Sequence, residues 1–188
     1  MIISLTGFMG CGKSSIGRKL SILLSCSYVD LDSAVENTAG RSIPEIFASD
    51  GEAAFRKMES ETLLTIIHGQ SEKISTVSST SSAVPASSSY MILSLGGGTV
   101  MTPKCADIVH DKTVCIYLRA SVDTLVSHLE NEAEGRPMLA GGNIRSRVTE
   151  LMSLRASTYE KTAHIIIDTD GKSVEDICLE IDSRLKVL

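Results

Sequence analysis

Gly7-Phe8-Met9-Gly10-Cys11-Gly12-Lys13-Ser14 places glycines, a lysine and a hydroxyl at the spacing Gly-x-x-x-x-Gly-Lys-Ser/Thr. Glycines at that spacing let backbone N–H groups turn inward on a phosphate, and a helix that follows adds the partial positive charge of its N-terminus. Lys13 then reaches the β- and γ-phosphates of a nucleotide, and the Ser14 hydroxyl is placed to hold Mg²⁺. The motif means this only between a strand and a helix. Apolar Ile2 to Thr6 precedes it and an amphipathic stretch follows. Cys11 reads as a small loop residue rather than a nucleophilic thiol.

A phosphate cradle serves motors, switches and small-molecule kinases alike, so other residues must decide. No Asn-Lys-x-Asp guanine signature is present, and 188 residues leave room for a nucleotide, one small acceptor and a lid. Tyr28-Val29-Asp30-Leu31-Asp32 ends an apolar run with two carboxylates two residues apart, which a strand would project to the same side. Two anions so placed repel unless a cation or a hydroxyl intervenes. Asp30 can orient a magnesium-bound water, and Asp32 can accept a proton from a hydroxyl, while a strand end with a helix cap explains the pair equally well.

Arg56 and Glu59 sit three apart on a predicted helix whose Phe55, Met58, Leu63, Ile66 and Ile67 face the core; alone they read as a solvated surface pair. Arg155 shares a helical stripe with Val148, Leu151, Met152 and Tyr159. A guanidinium on an apolar stripe needs an anion, either a structural carboxylate or a planar carboxylate ligand. Gly96-Gly97-Gly98 lets backbone approach a ligand closely. Arg136, inside the glycine-containing stretch 131–143 that reads as a lid, can swing over phosphates.

The elements that position these residues follow a βαβ rhythm. Apolar, β-prone runs at Ile2 to Thr6, Tyr28 to Leu31, Met91 to Leu95, Thr113 to Leu118 and Ile165 to Ile167 predict five strands. Helices are expected over 13–24, 33–38, 44–49, 52–68, 103–109, 122–130, 145–162 and 174–186, with Pro44 and Pro103 in first turns. Near-continuous apolar strands predict a parallel sheet covered on both faces, a three-layer α/β/α sandwich with its ligand site at the strands' carboxyl ends. The serine-rich stretch 69–89 reads as a surface loop inserted before the third strand.

At roughly 150 residues per domain the chain is expected to form one domain, 1–188. Net charge is -5 with no basic block, which argues against a nucleic-acid polymer as partner. No apolar run approaches the ~20 residues that cross a bilayer, and the opening residues lack a signal-peptide pattern. No membrane partner and a cytoplasmic location are therefore expected. Five cysteines without a Cys-x-x-Cys pair suggest neither a disulfide framework nor a zinc knuckle.

Taken together and in order, the P-loop from Gly7 to Ser14, Asp30-x-Asp32, Phe55-Arg56-x-x-Glu59, Gly96-Gly97-Gly98, Arg136-Pro137-Met138-Leu139 and Arg155-x-x-x-Tyr159-x-x-x-Ala163 resemble the shikimate kinase family over nearly the whole chain. The resemblance implies a nucleoside-monophosphate-kinase-like P-loop fold with strand order 2-3-1-4-5. It implies transfer of the ATP γ-phosphate to the 3-hydroxyl of shikimate, in aromatic amino-acid synthesis, by a monomer using Mg²⁺.

By position it implies a nucleotide set of Gly10, Cys11, Gly12, Lys13, Ser14, Ser15, Arg136 and Lys172, with magnesium at Ser14 and Asp30. Asp32, Arg56, Gly97 and Arg155 would bind shikimate, with Lys13, Asp32 and Arg136 catalytic and Glu59 holding Arg56. Some family members carry a further lid arginine at the position occupied here by Leu129. A kinase for another hydroxylated acid such as gluconate, or a nucleotide-dependent binding module without transfer activity, are the alternatives.

Overall fold

The computed structural model describes residues 1–76, 90–130 and 143–187. The five expected apolar runs form strands β1 (Ile2–Thr6), β2 (Ser27–Asp30), β3 (Met91–Ser94), β4 (Val114–Arg119) and β5 (Ile165–Asp168). They assemble into one parallel sheet in the order β2-β3-β1-β4-β5, with Ile3 beside Ile92 on one flank and Val114 on the other. Every residue of β1 and β3 is buried, which requires cover on both faces and explains why these strands show no polar alternation.

Helices α1 (Lys13–Leu23), α2 (Leu31–Ala39), α3 (Ile43–Ser49), α4 (Gly51–Thr76), α5 (Pro103–Lys112), α6 (Val122–Leu129), α7 (Ile144–Thr162) and α8 (Val174–Leu185) supply that cover. α1 packs on β2, β3 and α8, while α4 and α7 each pack on α5. Pro44 and Pro103 sit in first turns as expected, where a missing N–H leaves no bond unmade. Four of the five cysteines are buried and none is bridged. Among the described residues no helix is long and apolar enough to cross a membrane.

Two expectations need correction. α4 does not stop at residue 68 but continues to Thr76, so the first part of the serine-rich stretch is helical and 77–89 lies outside the described residues. Residues 70–76 contain neither glycine nor proline, so an established helix gains a hydrogen bond with each residue added. α2 begins at Leu31 rather than 33, because Asp30 ends β2 and caps the helix by accepting from the Ser33 N–H at 3.3 Å. Asp32 therefore stands in a helical first turn and not on a strand.

β1 lies between β3 and β4 and the chain departs from it in both directions, so a crevice opens at the carboxyl ends of these strands. The P-loop follows β1, Asp30 ends β2, and Gly96 to Gly98 follow β3.

Candidate active site

The loop after β1 is built on left-handed glycines: Gly10 and Gly12 have φ of 80° and 87°, and Gly12 is the N-cap of α1. Lys13, the first residue of that helix, folds back so that its ammonium donates to Gly7 O and Phe8 O, each at 2.9 Å. The lysine charge is thus held at the lip of the loop. Cys11 is buried, with its Sγ 3.9 Å from Lys13 Nζ, so it packs the loop from beneath and does not line the cleft.

Asp30 is fixed by three donors. Its Oδ2 accepts from the Ser14 hydroxyl at 3.1 Å and from Tyr28 Oη at 3.0 Å, and its Oδ1 from Ser33 N. The Tyr28 ring reaches this position by lying against Gly17, where a Cβ would come within 2.6 Å of the ring. A carboxylate and a hydroxyl at a helix N-terminus are hard oxygen donors of the kind magnesium accepts alongside phosphate oxygens and water.

Asp32 and Glu59 converge over Gly96. An ideal Cβ at that glycine would lie 2.7 Å from Asp32 Oδ1, 2.8 Å from Glu59 Oε1 and 3.0 Å from Thr99 Oγ1, so only glycine fits. Burial pushes the Asp32 carboxyl up to about 6, and the charges of Glu59 and Asp30 add to the rise against the opposing pull of Lys13 and Arg56. A carboxylate whose proton affinity approaches neutrality suits a general base.

Glu59 is not the solvated partner its spacing suggests: it is 1% exposed. Its Oε2 accepts from Arg56 Nη1 at 2.8 Å and its Oε1 from the Thr99 hydroxyl at 2.6 Å. Arg56 also donates to the exposed Glu52 at 3.2 Å, and its guanidinium lies flat on Gly98, where a Cβ would come 2.5 Å from Nη2.

Arg155, on α7, is 7% exposed and lies over the Phe8 ring, 5.9 Å from its centroid. Its Nη1 donates to Gly97 O at 3.4 Å, and Tyr159 Oη donates to the same carbonyl. Among the described residues no carboxylate stands within ion-pair distance of Arg155. Of the two anions its apolar stripe called for, the structural carboxylate is therefore not present among them.

These groups share one cleft of about 650 Å³, lined by Lys13, Ser14, Ser15, Asp30, Asp32, Arg56, Glu59, Gly96 to Gly98 and Arg155, with Phe47, Phe55, Ile43 and Pro44 as an apolar wall. Lys172 does not line it; its ammonium pairs with Glu180 at 2.6 Å. Arg136 and the expected lid over 131–143 lie outside the described residues, save Asn143, which caps α7. Sequence reasoning missed His128, whose Nδ1 stands 2.8 Å from Gly10 O at the cleft rim, and Thr99. Neither carries a spacing signal, since each meets a partner distant in sequence.

A family profile described as shikimate kinase matches residues 9–91 and 78–186. The chain belongs to the shikimate kinase family. It is 37% identical to a shikimate kinase of Thermus thermophilus over 97% of this chain and 89% of that one. It is 35% identical to a shikimate kinase of Dictyoglomus turgidum over 98% and 96%. Its fold is shared with a shikimate kinase from Acinetobacter baumannii solved in complex with shikimate, at a TM-score of 0.83 and 24% identity, covering 99% of this chain and 93% of the other.

Leu129, the last residue of α6, is fully buried and packs on Gly10, where a Cβ would lie 3.0 Å from Leu129 Cγ. A charged side chain has no room there. The neighbouring His128 is the side chain that α6 turns to the cleft instead.

Proposed function

We propose that this chain transfers the γ-phosphoryl group of ATP to the 3-hydroxyl of shikimate, as the single chain and with magnesium. The observation that carries it is that two guanidinium groups, Arg56 of α4 against Gly98 and Arg155 of α7 against the Gly97 carbonyl, line the same cleft as the P-loop and Asp32. A carboxylated polyol needs cations for its anion and a carboxylate for its hydroxyls, and both are present at the acceptor end.

In this reading the N-terminal amides of α1 and the Lys13 ammonium take the β- and γ-phosphates, with Gly10, Gly12, Ser14 and Ser15 completing the cradle. Arg56 and Arg155 hold the acceptor carboxylate, and the Gly97 backbone meets a ring hydroxyl. Asp32 accepts the proton of the 3-hydroxyl as that oxygen bonds to the γ-phosphorus and the bond to the bridging oxygen breaks. Lys13 neutralises charge gathering on the leaving phosphate oxygens. Ser14 and Asp30 would hold magnesium, which when bound supplies neutralisation of phosphate charge. Arg136 enters by its place in the Arg-Pro-Met-Leu run, and Lys172 as the residue nearest in pattern to an adenine contact.

A coupled assay with ATP and a panel of carboxylated polyols tests the reading. Shikimate is expected to be phosphorylated, with Arg155→Ala raising the acceptor KM at least tenfold, since a charge-assisted pair contributes roughly 1.5–3 kcal/mol. Lys13→Ala should lower kcat instead. Turnover of gluconate without turnover of shikimate would overturn it.

A further inference from the structure

Thr99 stands in the short 3-10 turn Thr99–Met101 that follows the three glycines, and its side chain is fully buried. Its backbone is held at both ends: Thr99 N donates to Gly96 O at 3.2 Å, and Thr102 N to Thr99 O at 3.3 Å. A β-branched side chain on so fixed a backbone has little rotamer freedom. Its hydroxyl points at Glu59 Oε1 from 2.6 Å, while the other oxygen of that carboxylate carries Arg56.

We propose that Thr99 is a positioning residue for the acceptor's carboxylate: its hydroxyl fixes the Glu59 carboxylate in the orientation that aims Arg56 into the cleft. The proposal rests on the reading of Arg56 as a ligand of the acceptor.

The terminal torsion of a glutamate is broad, so one bond to Arg56 does not set the plane of its carboxylate. The surroundings push it elsewhere. Asp32 Oδ1 lies on the same side over Gly96, and Asp30 adds negative charge from the end of β2. Lys13 on α1 attracts the neighbouring Asp32, and on α5 Cys105 feels the charge of Glu59 together with that of Lys104. Of these groups, the Thr99 hydroxyl is the neutral donor placed against Oε1. Among the described residues Arg56 is otherwise held by Glu52, whose exposed side chain is a weak anchor, and by the Phe55 ring, whose centroid lies 5.1 Å from the guanidinium carbon and which sets no direction for its N–H groups. Without the hydroxyl, a buried carboxylate oxygen is left unpaired and the carboxylate turns to find another donor, taking the Arg56 guanidinium with it.

Thr99→Val keeps the shape and removes the hydroxyl. It is expected to raise the acceptor KM about tenfold with the KM for ATP unchanged, and Thr99→Ser is expected to restore the wild-type value. In an Arg56→Ala background Thr99→Val should add nothing further. Thermal midpoints establish that each variant is folded, and Thr99→Ala replaces the valine variant if valine does not fold. An acceptor KM within twofold of wild type, an equal rise in both KM values, or the same rise in the Arg56→Ala background overturns the proposal. If Arg56→Ala itself leaves the acceptor KM unchanged, it is the assignment of Arg56 as a ligand that fails.

Discussion

Asp32 is drawn up from 3.8 to about 6 by burial first and by the charges of Glu59 and Asp30 second. Between those two values the folded protein keeps a proton that the unfolded chain has released, so stability falls as pH rises across the window. Above about 6 the whole penalty, about 3 kcal/mol, is in place. The molecule thus carries at neutral pH an ionised group that its fold opposes, which is what a proton acceptor needs and a stable core does not. Asp32→Asn should therefore gain up to about 3 kcal/mol in denaturant unfolding at pH 7, a gain that fades as pH approaches 4. The same variant should lose about a hundredfold or more in kcat. Wild-type kcat/KM should fall on the acid side of about pH 6 as Asp32 takes up its proton. Equal denaturation midpoints for the two proteins at pH 7 would contradict the assignment.

At the scale of elements, α4 and the turn after β3 are fitted to each other at Gly98, whose backbone, with φ of -118° and ψ of -3°, is open to any residue. The nearest atoms to a Cβ there are those of the Arg56 guanidinium, so Gly98→Ala should turn it out of the cleft and, by parting it from the buried Glu59, also lower stability by about 3 kcal/mol. The acceptor KM should rise roughly tenfold or more, as expected for loss of a charge-assisted pair, and steady-state kinetics beside a melting curve would check both halves. Much of this geometry is readable in the chain. Phe55, Glu59, Leu63 and Ile67 recur every four residues and are all buried, so the burial of Glu59 is written in its place on an apolar stripe, where pair spacing with Arg56 suggests a surface. The P-loop and the strand runs are local patterns and are read directly. The contacts of Thr99 with Glu59 and of His128 with Gly10 are set by which elements the sheet order brings together, and no periodicity in either segment encodes them. The order itself came with the family resemblance, since five apolar runs fix the number of strands but not their neighbours.

At the scale of the whole molecule, the acceptor's carboxylate would tie together two helices, α4 and α7, whose arginines stand against the adjacent backbone positions Gly98 and Gly97. Ligand that binds only the folded state adds about 2.7 kcal/mol at a concentration a hundredfold above Kd. For a chain of 188 residues that corresponds to a rise in Tm of roughly 5–10 °C. Shikimate should produce such a rise in the wild-type protein, and added salt should diminish it, because the exposed part of the recognition is ionic. Arg155→Ala removes one of the two cations and uncovers the Phe8 ring, but takes away none of the groups assigned to the phosphates. It should remove about half or more of the shikimate-dependent rise while preserving the rise given by ATP with magnesium. Differential scanning calorimetry on the two proteins distinguishes the cases: an unchanged shikimate shift in Arg155→Ala would mean that the two helices are not joined through the acceptor, and that the carboxylate is held elsewhere.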